Sequence, residues 1–163
     1  MEMITTPKTW ASPKTFALGW GRPFSGKIPA QFSLQAVILF DGELMGGCKV
    51  SASFKRSPNG FSRDSLSFSL IVDNVRVVGI DDKPHGKGGH PNRVGKGMSY
   101  YGKVIDHPHI HFPIEGACYG YAEPLDSSMT HNQFWELFLE KCNISGAPPF
   151  ERPPEEQIGL GLL

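Results

Sequence analysis

Neither sign of charge predominates in this chain: 16 lysines and arginines balance 16 aspartates and glutamates over 163 residues. A neutral protein has no global field to draw in nucleic acid or a lipid surface, so any recognition of either must come from a local patch. Cysteine is scarce. The three, Cys48, Cys118 and Cys142, show no Cys-x-x-Cys spacing, which argues against a disulfide framework or a structural zinc knuckle and is compatible with buried thiols at Cys118 and Cys142. Long apolar runs are missing too. The longest, around Ala36 to Phe40, is far short of a bilayer span. The opening Met1-Glu2-Met3-Ile4-Thr5-Thr6 has neither the basic nor the apolar region of a secretory signal, so the expected compartment is the cytoplasm and no membrane partner is expected. The spacing of a Walker phosphate loop, a Gly-x-Ser-x-Gly elbow and internal repeats are all absent.

What is abundant is punctuation. Nineteen glycines and fourteen prolines imply many turns and long connections rather than a helical bundle. The length suits a single domain, residues 1–163, with a core of ordinary size. Residues 1–30 interleave Pro7, Pro13, Pro23 and Pro29 with Trp10, Phe16, Trp20 and Phe24, which predicts an aromatic wrap with little regular structure. Residues 31–144 carry a sheet and a helix. Alternation over 31–40 and 48–56 about the turn Asp41-Gly42-Glu43 predicts a hairpin. Residues 65–81 read as a third strand, broken or bulged at Asp73-Asn74, and 82–104 as a loop with six glycines. Residues 105–114 and 117–123 read as two more strands. The helix falls at about 132–141, with Thr130 and Gln133 as a capping box and Phe134, Trp135 and Phe138 as core. Residues 145–163 form a Pro-rich segment and an apolar tail, Ile158–Leu163. The expected class is α+β, an antiparallel sheet of about five strands with one C-terminal helix, rich in loops.

Histidine is the concentrated chemical resource. Five of six fall in a 27-residue window: His85, His90, His107, His109 and His111. On a strand, alternate side chains share a face, so His109 and His111 point the same way. Imidazole gives, takes or shares a proton near neutral pH and is the commonest metal ligand. Three readings stay open. In the first, His109 and His111 are a proton-transfer pair that cleaves RNA or another phosphodiester without a cofactor. His85 or His90 then assists from the loop and Asp81 orients an imidazole. Arg93 and Lys96 hold phosphate and Tyr101 stacks a base. In the second, His109 and His111 hold zinc with a further histidine or a carboxylate (Asp81, Asp82, Asp106 or Glu115, the last at a cupin-like spacing), in a binding or inhibitory protein whose N-terminal segment and apolar C-terminal tail meet a protein partner. In the third, the rings only bond neighbouring carbonyls. The spacing His109-x-His111-x-x-x-Glu115 is similar to the first metal-binding motif of cupins, although no second motif follows.

The stretch from Val78 to Ile144 also carries Ile80-Asp81, Pro84-His85, His90-Pro91-Asn92, His109-Ile110-His111, Glu115-Gly116, Ala122-Glu123-Pro124-Leu125 and Cys142-Asn143-Ile144. This order resembles a family of small bacterial and phage-encoded domains. The shorter theme of an Asp followed by paired histidines is similar to TumE-like toxins of toxin–antitoxin pairs, and that resemblance implies RNA cleavage in a toxin or phage-defence setting. Where the family pattern has a basic residue before the aspartate this chain has Gly79, so Arg76 or Arg93 would have to serve a phosphate.

Overall fold

The structure is a computed structural model that describes residues 2–11, 19–21, 29–84 and 88–154. In chain order the elements are α1 (Glu2–Thr5), β1 (Lys8–Trp10), β2 (Gln31–Phe40), β3 (Glu43–Lys55), β4 (Ser65–Val72), β5 (Val75–Asp82), β6 (His90–Pro91), β7 (Val104–Ile105), β8 (His109–His111), β9 (Ala122–Pro124), α2 (His131–Cys142) and β10 (Ile144–Ser145). Eight strands form one sheet in the order β10-β1-β2-β3-β4-β5-β8-β9, and β6 pairs with β7 as a separate ribbon. Among the described residues only the β10–β1 pairing is parallel.

The α+β class holds, with more strands than the five expected. The segment 65–81 is two strands, because Asp73 and Asn74 both take left-handed backbone, φ 48° and 65°, and close a tight hairpin. The expected strand 105–114 contributes only His109–His111 to the sheet, and its expected partner 117–123 pairs instead through Ala122–Pro124. Strands of two or three residues are too short to show a period, so β1, β6, β7 and β10 leave no trace in the alternation pattern.

The long strands bury one face. Phe32, Leu34 and Ile38 of β2, Val50, Ala52 and Phe54 of β3, Leu66, Phe68 and Leu70 of β4, and Val78 and Ile80 of β5 form one cluster with Phe134, Trp135 and Phe138 of α2. The Phe68 ring lies 4.9 Å from Trp135 and 5.6 Å from Phe138. Helix α2 starts where its sequence says it should: Thr130 accepts from the Gln133 amide while Gln133 reaches back to the Thr130 N–H. It ends at Asn143 in left-handed backbone.

The described segments before β2 and after α2 are tied to this helix side. Lys8 is buried, and its ammonium donates to the carbonyls of Ile4, Thr6 and Cys142. Desolvation lowers its pKa. Trp10 lies in the core, and Trp20 packs on Phe54 and Phe150. After α2 the chain returns over the core, Trp135 Nε1 donating to the Pro148 carbonyl. Phe16, Phe24 and the tail Ile158–Leu163 lie outside the described residues. Of the two thiols expected to be buried, Cys142 is; Cys118 is exposed, on the turn that leaves β8.

The opposite face is polar. Ser33, Gln35, Ser51, Ser53, Ser67 and Ser69 alternate with the core residues, and Asp81, His109 and His111 continue their rows on β5 and β8.

Candidate metal centre

Strand register brings the cluster together. Asp81 of β5 stands opposite His109 of β8, and Gly79 stands opposite His111. Directly opposed residues of an antiparallel pair share a face, so the carboxylate and both imidazoles point off the open side of the sheet. The two Nε2 atoms are 3.0 Å apart. Asp81 Oδ2 lies 3.2 Å from His111 Nε2 and 3.6 Å from His109 Nε2. Each residue thus offers one atom to a triangle whose centre is within coordination reach of all three.

Asp81 is held from behind. Arg76 Nη1 donates to Oδ2 at 2.8 Å and Nη2 to Oδ1 at 3.0 Å, a bidentate pair, and Ser67 Oγ donates to Oδ1 at 2.7 Å. A carboxylate offers about four lone-pair sites. Arg76 and Ser67 take three, and the one left lies on the oxygen that faces the imidazoles. Arg76 reaches Asp81 by lying across Gly79, where a Cβ would sit 2.2 Å from Nη2. The missing side chain at Gly79 is therefore what admits the guanidinium. Burial alone would raise the Asp81 pKa, but the imidazoles of His109 and His111 beside it, with the hydrogen bonds and charge of Arg76, hold it far below the usual carboxylate range.

The imidazoles are oriented by the backbone. His109 Nδ1 donates its proton to the Asp106 carbonyl at 3.0 Å, which leaves Nε2 as a bare lone pair toward the cluster. His111 is held neutral: desolvation lowers its pKa more than the Asp81 hydrogen bond raises it. One proton on His111 Nε2 then serves both His109 Nε2 and Asp81 Oδ2, and a cation held at this point would require that proton to move to His111 Nδ1.

Two more rings close the neighbourhood. His107 stacks on His109 with centroids 4.6 Å apart, and His90 meets His111 edge to face at 4.5 Å. His90 Nε2 donates to the Gly120 carbonyl. Its segment is pinned by Asn92, whose side chain donates to the carbonyls of Tyr100 and Ala122 and accepts from the Ala122 N–H. Gly89 lets β6 approach β7: a Cβ there would be 2.4 Å from the Ile105 carbonyl oxygen. The rings, Asp81 and Arg76 line an open cavity of about 420 Å³, with Phe112 and Tyr119 at its wall.

Of the sequence candidates, Asp81, His90, His109 and His111 converge, joined by His107. His85 lies outside the described residues. Arg93, Lys96 and Tyr101 are exposed on the loop, and none lines the cavity. Glu115 is not in the metal-binding group, whose carboxylate comes from Asp81. The reason is local: β8 ends at His111, and the Ile114–Ala117 bridge turns Glu115 out to solvent. The sequence named Arg76 only as a source of charge for phosphate. Its position three residues before Gly79 was the available signal, and its actual partner is the aspartate.

No protein-family model matches this chain, no curated protein matches its sequence, and no solved structure matches its fold. The cluster must therefore be interpreted on its own chemistry. Among the described residues no helix is long and apolar enough to cross a membrane.

Proposed function

We propose that this protein is a mononuclear metal-dependent phosphodiesterase, with Asp81, His109 and His111 as the protein ligands and zinc as the ion their donor set suits. The observation that carries this is the triangle of donor atoms with edges of 3.0, 3.2 and 3.6 Å facing an open cavity. Ligands about 2.0–2.2 Å from a tetrahedral zinc lie roughly 3.3 Å from one another, so the triangle fits without rearrangement. Three protein ligands and an open side are the pattern of a catalytic rather than a structural site.

Charge supports an anionic substrate. Both imidazoles enter as neutral ligands, and the Asp81 charge is already balanced by Arg76. The charge of a divalent ion is then uncompensated by protein and favours an anion at the open side. When bound, such an ion supplies an acidic water and polarises a phosphoryl oxygen. The chain's own residues fix the ligands: Asp106 orients His109, and Arg76 and Ser67 orient Asp81.

The metal-free ribonuclease reading is favoured by His109, whose Nδ1 is committed to the Asp106 carbonyl so that Nε2 faces the cavity as a proton acceptor. In that reading, however, His109 and His111 act at one position in succession, since nitrogens 3.0 Å apart cannot flank a phosphorus from opposite sides. The test is metal analysis of the purified protein with hydrolysis of bis(p-nitrophenyl) phosphate and of RNA. Near-stoichiometric zinc, lost in His109→Ala, and activity abolished by chelator and restored by zinc are expected. A metal-free protein that cleaves RNA in chelator would replace this reading with the metal-free one.

A further inference from the structure

The open sheet face has a composition that neither folding nor the metal cluster accounts for. Two cross-strand rows run into the cluster: Ser33–Ser53–Ser67–Asp81–His109, and Gln35–Ser51–Ser69–Gly79–His111. Strand faces ordinarily use threonine, β-branched or aromatic residues, which fit the pleat better. Here the central outward positions of β3 and β4, Ser51, Ser53, Ser65, Ser67 and Ser69, are serine, flanked by Lys49, Lys55 and Ile71. Small hydroxyl side chains leave a flat surface on which a ligand can approach the sheet closely while finding donors and acceptors at each strand. The Ser67 hydroxyl, in hydrogen bond with Asp81, links the rows to the donor triangle. At strand spacings of about 4.8 Å, the first row extends roughly 19 Å.

The charges flanking the rows are of one sign. Lys49 of β3 shares the face beyond the second row, and Lys55 of the same strand lies beyond the first. Lys83 follows β5, and its ammonium is 3.7 Å from Asp81 Oδ1. Asp81 is the one acid within these rows, and Arg76 already balances it. Lys55 and Lys83, with Gln31, Ser53 and Ser65, line a groove of about 350 Å³ beside the rows.

We propose that this face is the binding track for single-stranded RNA, the strand's phosphates lying against Lys55 and Lys83 and its backbone crossing the serine rows into the cluster. The inference rests on the phosphodiester reading of that cluster and names its polymeric substrate. Hydroxyls and lysines suit a sugar–phosphate backbone. The serine and glutamine positions of the rows carry no aromatic ring on which a base would stack, and rings enter only at the cluster end with His109 and His111, so binding along the track is expected to be tolerant of sequence. A second copy of the chain is the other candidate for a flat face. Two-fold pairing would bring lysines toward lysines with no free carboxylate between them, which disfavours it.

The experiment uses the full chain and a fluorescein-labelled 20-nucleotide RNA, with anisotropy measured across a salt series in chelator so that no turnover is needed. Wild type is expected to bind with an affinity that falls steeply with salt. Lys55→Glu and Ser53→Asp, neither of which contacts the donor triangle, are each expected to weaken binding on the order of tenfold, and Lys55→Glu to flatten the slope by about 0.7. Both variants should keep wild-type hydrolysis of bis(p-nitrophenyl) phosphate with zinc. Absence of binding by wild type, or equal binding by both variants with unchanged melting temperature, would overturn the proposal. Self-association of wild type that Ser53→Asp abolishes would overturn it in favour of a second copy. Failure of the metal reading shows separately, as loss of small-substrate hydrolysis with RNA binding intact.

Discussion

Asp81 and Asp82 are neighbours in sequence and opposites in the molecule. Both are almost wholly buried, both end β5, and each is paired with an arginine and with histidine. Asp82 faces the helix side. It takes Arg63 and His131 Nε2, and the His131 ring is enclosed by Phe54, Phe134 and Phe150. Arg63 goes on to the carbonyls of Ser127 and Met129, so this group fastens the turn before α2 to the end of β5. Asp81 faces the open side, where Arg76 holds it and leaves one lone pair for two imidazoles above a cavity. The same pairing of residue types is a fastening on one face and a ligand set on the other. The difference lies in what covers each, and the two-residue period of the strand decides which face each aspartate meets.

If the faces divide labour in this way, substitutions on them should separate stability from metal binding. The largest stability effect is expected from Phe68→Ala, which removes the ring under Trp135 and Phe138. A loss of roughly 3–5 kcal/mol in urea unfolding is expected, with zinc affinity of the folded protein unchanged. Weaker zinc binding at undiminished stability would break the comparison.

The sharper contrast is between the two aspartates. Asp82→Ala strands Arg63 and His131 and should cost roughly 3 kcal/mol of stability while zinc still binds. Asp81→Asn should do the reverse: a smaller change in unfolding free energy, because Arg76 keeps access to water, and a fall in zinc affinity beyond the roughly 10- to 100-fold typical of losing a supporting residue. Calorimetric zinc titration with denaturant unfolding on both variants measures the two effects. If the zinc defect followed Asp82 instead, the assignment of the faces would be reversed.

The parts of this arrangement legible in the sequence are those set by local periods. Alternation marked β2–β5, the capping box marked α2, and His109-x-His111 marked two imidazoles on one face. Asp81 was legible as a strand-ending carboxylate and as one of four that could complete a metal site, though nothing local singled it out from the other three. That choice required the β5–β8 register, which pairs Asp81 with a residue 28 positions further along the chain and which no local pattern specifies. Glu115 looked the better ligand because it follows the histidines at a familiar spacing, and the turn at Ile114–Ala117 took it away. Arg93, Lys96 and Tyr101 were grouped with the site by proximity in the chain, whereas Asn92 folds their loop so that they point elsewhere. The serine rows were visible as alternation but silent about function until strand order placed them beside Asp81.

The smallest effect, and the most specific, concerns how the open-face aspartate is held. Arg76 passes over Gly79, and a methyl group there would occupy the place of the guanidinium. Gly79→Ala should therefore act through Arg76: it should cost roughly 1–3 kcal/mol by crowding and release Asp81 from its bidentate partner. Arg76→Ala releases the same carboxylate by deletion. Each change alone should weaken zinc binding about tenfold, since both leave the ligand in place and loosen only its support. Combined in one protein, they should weaken it little more than either does, because the second change finds nothing left to remove. A double-mutant cycle on zinc affinity reads this directly. Additive losses would mean that Gly79 matters for something other than the arginine, and would remove the claim that a missing side chain on β5 is what arms the open face.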